Sequence, residues 1–265
     1  MIGVFDSGVG GLSVLRALVV ALPDEDYIYV ADSAHCPYGA RSAEEIRTLS
    51  LGIGRYLADE GARLIVVACN TASAAALSAL REDLAPMPIV GMVPAVKPAA
   101  ARTQSGVVGV LATPATFGGA LYADVVEHHA HGVRVLSQAC HGLVERIEAG
   151  DLEGPETLAL LRGYVEPLLA AGADTLVLGC THYPFVIPAL RRIVGEGVAI
   201  LEPSEAIARQ TARVLPSSPT GSGSGRRVYA TTGSPSTMSA ALERLLGVRG
   251  EVRALTWRDG GLCRA

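Results

Sequence analysis

The sequence lacks several features that would each indicate a class of protein. It has no block of basic residues, and its net charge of −4 with a pI of about 5.9 implies neither a nucleic acid nor a membrane surface as partner. No apolar run approaches the roughly 20 residues of a membrane-spanning helix. The N-terminus has no basic segment of the kind that opens a secretion signal, because "MIGVF" already resembles a core strand. We therefore expect a cytoplasmic protein without a membrane span.

Cysteine is scarce, and its spacing excludes two common uses. The five cysteines are Cys36, Cys69, Cys140, Cys180 and Cys263, and no C-x-x-C pair occurs. An odd, scattered set argues against both a disulfide framework and a structural zinc site. We expect reduced thiols in a reducing compartment, where each serves either chemistry or apolar filling.

What the sequence does contain is a regular alternation of short apolar runs and longer amphipathic segments. Hydrophobic residues make up 49% of the 265 residues and charged ones 18%, so a sizeable core is available. The predicted strands are Ile2–Phe5, Tyr27–Ala31, Leu64–Ala68, Ile89–Val93, Val107–Ala112, Val133–Ser137, Thr175–Leu178, Val198–Leu201 and Val228–Thr232. Helices are predicted near 11–22, 42–60, 72–85, 116–131, 155–171, 184–195, 204–215 and 235–246. Because the strands are continuous Val/Ile/Leu runs, we predict an α/β fold with parallel sheets buried on both faces.

Two lobes are more compatible with this pattern than one. The segment Val93–Gly106 would cross from the first lobe to the second, and Pro203–Ser224 would return. The Pro/Gly/Ser-rich stretch Pro216–Gly225 predicts an exposed loop, after which the last predicted strand would rejoin the first lobe. The predicted boundaries are 1–93 plus 206–265 for the first α/β lobe and 94–205 for the second.

A short sequence pattern occurs twice, once in each predicted lobe. "LIVVACNTAS" and "TLVLGCTHYP" both run from an apolar strand through a small residue to a cysteine, polar residues and a helix start. Ligands of open α/β sheets bind at the carboxyl ends of the strands, which is where Cys69 and Cys180 fall. Each predicted lobe would therefore present one thiol in a cleft between two similar sheets.

Each cysteine has a functional and a structural interpretation. A thiol at a helix N-terminus is biased toward thiolate, and Asn70 and Thr71 with free backbone N–H groups could hold a carboxylate ligand. Thr181 and His182 follow Cys180, so a Cys/His pair for hydrolysis is conceivable, although no oriented third group is evident. Zinc would need further ligands at a suitable spacing, and none is present. The alternative for both sites is a buried structural strand end.

The glycine-rich start and one polar loop are further candidates. Gly8-x-Gly10 resembles a dinucleotide fingerprint only weakly, although Asp32 falls about where a ribose-binding acid would. Asp6 and Ser7 come between the strand and the first glycine, and Asp6 is either a helix cap or a catalytic group. In the loop Ala31–Ser42, the Tyr38 phenol and the Gly39 backbone either wall a small pocket or form a surface turn; these candidates are Asp6, Ser7, Tyr38 and Gly39.

Two thiols facing one another have an economical chemical use. If a small ligand lies between them, one thiolate removes a proton from one face of a carbon and the opposite thiol returns a proton to the other face. That exchange inverts a stereocentre without metal or cofactor. Because the Cα–H of an amino acid is a weak acid, a closed, dry site with fixed donors on the carboxylate would have to stabilise the transition state.

At these residues the chain closely resembles glutamate racemases, of the aspartate/glutamate racemase superfamily. The matching motifs are "FDSGVGGLSV", "DSAHCPYGARS", "VVACNTASA", "LATPATFGGALY", "LGCTHYPF" and "YATTGSP", in order from Phe5 to Pro235. The resemblance implies two α/β lobes, the first closed by the C-terminal segment. It also implies cofactor-independent, metal-free interconversion of L- and D-glutamate for peptidoglycan synthesis, in an enzyme that is commonly a homodimer.

The resemblance also implies a set of site residues. Cys69 and Cys180 would be the acid/base thiols, assisted by Asp6 and His182 respectively. The implied substrate contacts are Asp6, Ser7, Tyr38, Gly39, Asn70, Thr71, Thr113, Thr116, Thr181 and His182.

The chain departs from the family pattern in two places. "CHGLVE" (Cys140–Glu145) stands where the family tends to have Cys-Pro-Leu-Phe-Val-Pro, which leaves open the local pocket wall and any role of the later acidic residue Glu148. The N-terminal extension of members activated by a peptidoglycan precursor is absent, so we do not expect that activation. Other hypotheses remain: a racemase of aspartate or another acid, a dinucleotide-dependent oxidoreductase, and a binding protein with idle thiols.

Overall fold

The computed structural model describes residues 1–217 and 223–265, and alternates strands and helices as predicted. The strands are β1 (Ile2–Asp6), β2 (Tyr27–Ala31), β3 (Leu64–Val67), β4 (Ile89–Val90), β5 (Val107–Ala112), β6 (Arg134–Ala139), β7 (Thr175–Leu178), β8 (Ala199–Leu201), β9 (Arg227–Thr231), β10 (Val252–Arg258) and β11 (Gly261–Arg264). The helices are α1 (Leu12–Ala21), α2 (Ala43–Asp59), α3 (Asn70–Asp83), α4 (Val96–Arg102), α5 (Pro114–Phe117), α6 (Ala120–His129), α7 (Leu143–Glu148), α8 (Pro155–Ala170), α9 (Ile187–Val194), α10 (Ser204–Val214) and α11 (Pro235–Leu246).

These strands form two sheets, which confirms the predicted α/β fold. The first has the order β11-β10-β9-β2-β1-β3-β4 and the second the order β6-β5-β7-β8. All pairs are parallel except β10 with β11. Every residue of β1, β2, β3, β5 and β7 is buried, as the continuous apolar runs predict for parallel strands covered by helices on both faces.

The two sheets repeat one topology, and this explains the repeated cysteine motif. Within the first sheet the order β2-β1-β3-β4 matches the order β6-β5-β7-β8 of the second. β1 and β3 are neighbours in the first sheet, and β5 and β7 are neighbours in the second. The connections that follow the two strands of each pair leave in opposite directions, and open α/β sheets bind ligands at such a switch point. Cys69 follows β3 and Cys180 follows β7, so the two thiols occupy equivalent ends.

The predicted return of the chain is confirmed. Strand β9 pairs in parallel with β2, so the first sheet takes strands from both ends of the sequence while the second takes only 107–201. The domain boundaries at 93/94 and 205/206 fall between the two sets of strands and remain a prediction. Residues 218–222 of the predicted loop Pro216–Gly225 lie outside the described residues.

The structure differs from the predicted elements in several places. The crossing segment contains α4, and the helix predicted over 116–131 is two helices separated at Gly118–Gly119. The terminal hairpin of β10 and β11 was not predicted, although Asp259 and Gly260 at its tip have the positive φ values (50° and 77°) of an Asp-Gly hairpin turn. Within the described residues, no helix combines the length and apolar character that crossing a membrane requires.

Candidate active site

The first lobe contributes a buried cysteine and a buried carboxylate at neighbouring strand ends. Asp6 ends β1, and Cys69 follows β3 as the N-cap of α3, where its sulfur accepts the Ala72 N–H at 3.4 Å. The Cys69 Sγ lies 3.9 Å from the Ser7 hydroxyl. The Asp6 Oδ2 accepts the N–H of Gly11, the residue directly before α1, at 2.7 Å. This hydrogen bond fixes the carboxylate at the end of β1.

Burial sets the protonation of this pair. Burial raises the pKa of Asp6, against the opposing charge of His182 and the Gly11 hydrogen bond. Burial and then the Asp6 charge raise the pKa of Cys69 well above its ordinary value, and a charge on Cys180 raises it further. Burial thus favours the thiol form of Cys69.

The second lobe contributes a hydrogen-bonded row of three side chains. The Cys180 Sγ lies 3.7 Å from Nδ1 of His182, whose Nε2 lies 2.6 Å from Oε1 of Glu148. That same oxygen accepts the Val9 N–H of the first lobe at 2.8 Å. Glu148 is at the end of α7, the helix that the altered "CHGLVE" segment begins. Its role was left open in the sequence, and its place beside His182 makes it a member of the site.

His182 and Glu148 form a partly buried ion pair. Burial alone would lower the pKa of His182, but its hydrogen bonds with Cys180, Cys36 and Glu148 outweigh burial and raise the pKa well above its ordinary value. Burial would raise the pKa of Glu148, yet the hydrogen bond and charge of His182 outweigh it and lower that pKa. The His182 ring, favoured as a cation, thus stands 3.7 Å from the Cys180 sulfur.

The glycine-rich loop joins the lobes at this row. A Cβ on Gly10 would lie 2.3 Å from His182 Nδ1, and a Cβ on Gly8 would lie 2.0 Å from Glu148 Oε1. The Ser13 hydroxyl donates to the Thr181 carbonyl at 2.9 Å across the two lobes. Close approach to the second lobe, rather than to a pyrophosphate, therefore accounts for the glycines.

A group of polar side chains next to the thiols has spare hydrogen-bonding capacity. Both polar atoms of the Asn70 amide are buried and have no hydrogen-bond partner among the described residues. Beside it in sequence, the Thr71 hydroxyl lies 3.0 Å from that of Thr113 and 3.4 Å from that of Thr116, both in the second lobe. An unpaired buried amide is costly unless a ligand or water completes it. This group can receive an anionic ligand.

The loop after β2 is partly exposed, but it buries one of the two residues predicted to wall a pocket. Tyr38 is 1% exposed and its phenol donates to Asp32 at 2.7 Å, while the Gly39 Cα faces Thr113 closely enough that a Cβ would lie 3.0 Å from the Thr113 Cβ. Burial and then Asp32 raise the pKa of Tyr38 well above its ordinary value. The phenol is engaged by Asp32, so the backbone of Tyr38 and Gly39 is the part of these two residues that remains to contact a ligand.

Asp32 is an anchor rather than a ribose-binding acid. Besides Tyr38, this fully buried carboxylate binds the Thr232 hydroxyl at 2.8 Å, the Trp257 indole N–H at 3.0 Å and the His35 ring at 3.0 Å. Its oxygens are occupied by protein donors, which excludes the dinucleotide interpretation of the N-terminal motif. Sequence reasoning missed Trp257 because its hairpin was not predicted.

The cavity at this cleft is small. A space of about 200 Å³ lies between the lobes and is bordered by Gly39, Thr113 and the segment from Cys140 to Glu145. A larger cavity of about 570 Å³, lined by residues such as Arg102 and Arg191, opens beside β8 and includes none of the predicted site residues. Gly39 and Thr113 are the predicted site residues that line the smaller space, and neither Cys69 nor Cys180 borders it.

Comparison with known proteins identifies the family. The sequence profile of the Asp/Glu/Hydantoin racemase family matches residues 2–211, which is most of the chain. The chain belongs to this family. It is 54% identical over 248 residues to the glutamate racemase of Roseiflexus sp. (strain RS-1), covering 92% of this chain and 91% of that one. Membership makes it an enzyme of the racemase class.

Two solved structures of the family have the same fold. The glutamate racemase of Francisella tularensis, in complex with D-glutamate, superposes with a TM-score of 0.83 at 28% identity and covers 96% of this chain and 97% of that one. The Escherichia coli glutamate racemase, in complex with L-glutamate and the activator UDP-MurNAc-ala, gives 0.82 at 35% identity and covers 95% and 96%. The two-lobe arrangement of this racemase fold is therefore shared over nearly the whole chain.

Proposed function

We propose that this chain is a glutamate racemase that transfers protons between two cysteines and the substrate Cα. The supporting observation is the pair of buried thiols, Cys69 and Cys180, at equivalent strand ends of the two sheets. Related enzymes have been solved with L-glutamate and with D-glutamate, the two enantiomers that such a reaction interconverts.

The two thiols have different partners and so different parts in the reaction. In one direction the Cys180 thiolate, stabilised by the His182 cation, takes the Cα proton, and the Cys69 thiol gives its proton to the opposite face. The Cys180–H and Cys69 thiolate that result are the starting state for the reverse direction. To reset for the same direction, Cys180–H loses its proton to solvent and the Cys69 thiolate regains one from solvent through Asp6, as the raised pKa of Asp6 allows.

The polar residues around the thiols would hold the substrate. The unpaired Asn70 amide donates to a carboxylate, together with the hydroxyls of the threonine group and backbone N–H groups at the start of α3. The proposed contacts are those of the sequence analysis: Asp6, Ser7, Tyr38, Gly39, Asn70, Thr71, Thr113, Thr116, Thr181 and His182. No cofactor or metal enters this reaction. The Tyr38 contact would be made by its backbone, since its phenol binds Asp32.

The biological setting is proposed from the same resemblance. The enzyme would supply D-glutamate for peptidoglycan, in the cytoplasm, as a homodimer. Light scattering at several protein concentrations tests the dimer, and rescue of a D-glutamate-requiring bacterial strain tests the role in the cell wall.

One experiment tests the mechanism. Incubation of each glutamate enantiomer with the protein in D₂O, without added cofactor, is expected to give the other enantiomer with deuterium at Cα. Replacing Cys69 and Cys180 together with Ala should abolish both racemisation and exchange, whereas Cys263→Ala, in β11, should leave both intact. Undiminished racemisation in the double variant would exclude the two-thiol mechanism. Faster reaction with aspartate than with glutamate would exclude the substrate.

A further inference from the structure

We propose that Cys36, Glu148 and His182 form a binding site for Zn²⁺, and that zinc bound there inhibits the enzyme. One ligand atom from each residue lies within 4.8 Å of the other two. Glu148 Oε1 lies 3.5 Å from Cys36 Sγ and 2.6 Å from His182 Nε2. Sulfur, imidazole nitrogen and carboxylate oxygen are the three donor types that zinc prefers in proteins.

The spacing of these atoms needs little change to accept the ion. Bonds of about 2.3 Å to sulfur and about 2.0 Å to nitrogen and oxygen place the ligand atoms of a tetrahedral zinc roughly 3.3–3.6 Å apart. The distance from Cys36 to Glu148 already matches. The distance from Glu148 to His182 must lengthen by less than about 1 Å, which a rotation of the carboxylate supplies. Three protein ligands leave the fourth position for water.

The three residues come from separate parts of the chain. Cys36 lies in the loop after β2, Glu148 ends α7, and His182 follows β7. Their separation in sequence explains why no ligand spacing indicates a zinc site. The Glu148 side chain is 23% exposed and Cys36 is half-buried, while His182 is 2% exposed, so an ion can enter from the side of the first two residues.

Binding exchanges protons for the metal and involves no electron transfer. Zn²⁺ displaces the thiol proton of Cys36 and the Nε2 proton of His182, and both leave to solvent. Burial raises the pKa of Cys36 to about 11, so the ion must displace a tightly held proton, which moderates the affinity. The two protons that leave balance the charge of the ion, but the liganded His182 no longer pairs with Glu148 as an imidazolium, and its ring is held by the metal instead of being free to adjust beside the Cys180 sulfur. Inhibition should follow, and a chelator should reverse it.

The test combines a direct reading of the metal with an activity measurement. Co²⁺ is added to the metal-free wild type as a spectroscopic substitute for Zn²⁺, and a thiolate-to-cobalt charge-transfer band with one equivalent bound is expected. Zinc should inhibit racemisation, and EDTA should restore it. In Cys36→Ser the cobalt band should disappear and the inhibitory zinc concentration should rise by more than about tenfold, since even disturbing an outer-shell partner typically costs that much affinity.

Cys263→Ser provides the matched control, because it makes the same change at a half-buried cysteine of β11. It should keep both the band and the inhibition. Inhibition of Cys36→Ser at the wild-type zinc concentration would place the ion on the reacting thiols and overturn the proposal. Absence of a cobalt band in the wild type would overturn it as well, whatever the fold of the variant. Neither result bears on the racemase proposal, which the deuterium experiment tests without metal.

Discussion

At the scale of single residues, the buried Asn70 amide lowers the free energy of unfolding of the ligand-free protein, and a ligand that hydrogen-bonds to the amide would remove this penalty. The amide is buried without a partner, so replacement by Ala should leave the free energy of unfolding of the ligand-free protein unchanged or higher. The same change should raise KM for glutamate by about tenfold to a hundredfold, the equivalent of one hydrogen bond to a charged group.

Thermal unfolding with and without glutamate, together with steady-state kinetics, measures both effects. A variant that loses stability while keeping its KM would mean that the amide is structural and does not face the substrate.

Glu148 determines how long His182 stays protonated as the pH rises. In Glu148→Gln the cation loses its carboxylate partner, so the pKa of His182 should fall from its raised value. Because the raised pKa keeps the imidazolium charged well above its ordinary range, the activity that depends on this charge should be lost only in alkaline solution. The alkaline limb of kcat/KM against pH should move to lower pH in the variant, for both enantiomers.

The acidic limb, governed by other groups, serves as the internal control. A uniform loss of rate with an unchanged pH profile would contradict this role of Glu148.

At the scale of elements, Cys69 has a structural duty besides its proposed chemical one. Its sulfur accepts the Ala72 N–H and so caps α3. Cys69→Ala should lower the free energy of unfolding by about 1 kcal/mol relative to Cys69→Ser, whose hydroxyl is a good cap. Both variants should be inactive, and urea unfolding monitored by circular dichroism measures the difference. Equal stability of the two variants would show that the cap contributes nothing.

Asp174 fixes the end of the crossing segment to β7. Its carboxylate accepts the Thr103 hydroxyl at 2.6 Å and the backbone N–H groups of Gln104 and Ser105 at 2.7 Å each. Burial would raise the pKa of Asp174, but these hydrogen bonds outweigh it and hold the pKa well below its ordinary value. The stability that this carboxylate contributes is therefore present above about pH 4 and lost as the pH falls through the lower folded-state value.

Asp174→Asn should lower the free energy of unfolding at pH 7 by about 2 kcal/mol, for the hydrogen bonds to a charged acceptor that it weakens. The difference from the wild type should shrink as the pH is lowered, which denaturant unfolding at a series of pH values measures. Asp83→Asn, at a carboxylate paired with Arg55 on the surface, is the control and should cost less. A difference independent of pH would contradict the assignment.

The elements that could be predicted from the sequence are those whose surroundings are uniform. β1, β3, β5 and β7 are buried on both faces, so their residues are apolar in unbroken runs. β10 has half-buried residues on both faces because it lies near the edge of the sheet, and its pattern is correspondingly mixed. The Asp259–Gly260 turn was the local signal for this hairpin. Likewise, Gly118–Gly119 marked the break between α5 and α6.

At the scale of the whole molecule, the site exists only where the two lobes meet. Ser13 of α1 donates to the Thr181 carbonyl, next to Cys180. Ser13→Ala should keep the fold but loosen this contact, so that glutamate stabilises the variant less than the wild type and kcat falls. The quantity to compare is the increase in the free energy of unfolding on adding glutamate, which is about 2.7 kcal/mol at a glutamate concentration of 100 times Kd.

Ser50→Ala is the matched control, because the Ser50 hydroxyl is also buried but has no hydrogen-bond partner among the described residues. It should leave activity and ligand-induced stabilisation unchanged. Equal behaviour of the two variants would show that Ser13 has no positioning role.

The same geometry explains which site residues the sequence could indicate. The two thiols stand out because each follows an apolar strand in a repeated motif, and their neighbours Asn70, Thr71, Thr181 and His182 adjoin them in sequence. Glu148 and Cys36 meet His182 only after α7 and the loop after β2 have packed together. Contacts of that kind depend on the placement of whole elements, and no local pattern encodes them.

The hydrogen bond from Trp257 to Asp32 has a practical consequence. The chain has a single tryptophan, so all of its indole fluorescence comes from one point. That indole is 3.0 Å from the carboxylate that also binds the Tyr38 phenol, and it meets the His35 ring edge to face at 5.7 Å between centroids. The emission of the unlabelled protein therefore reports the state of the loop that borders the cleft, in the same solution in which turnover is followed.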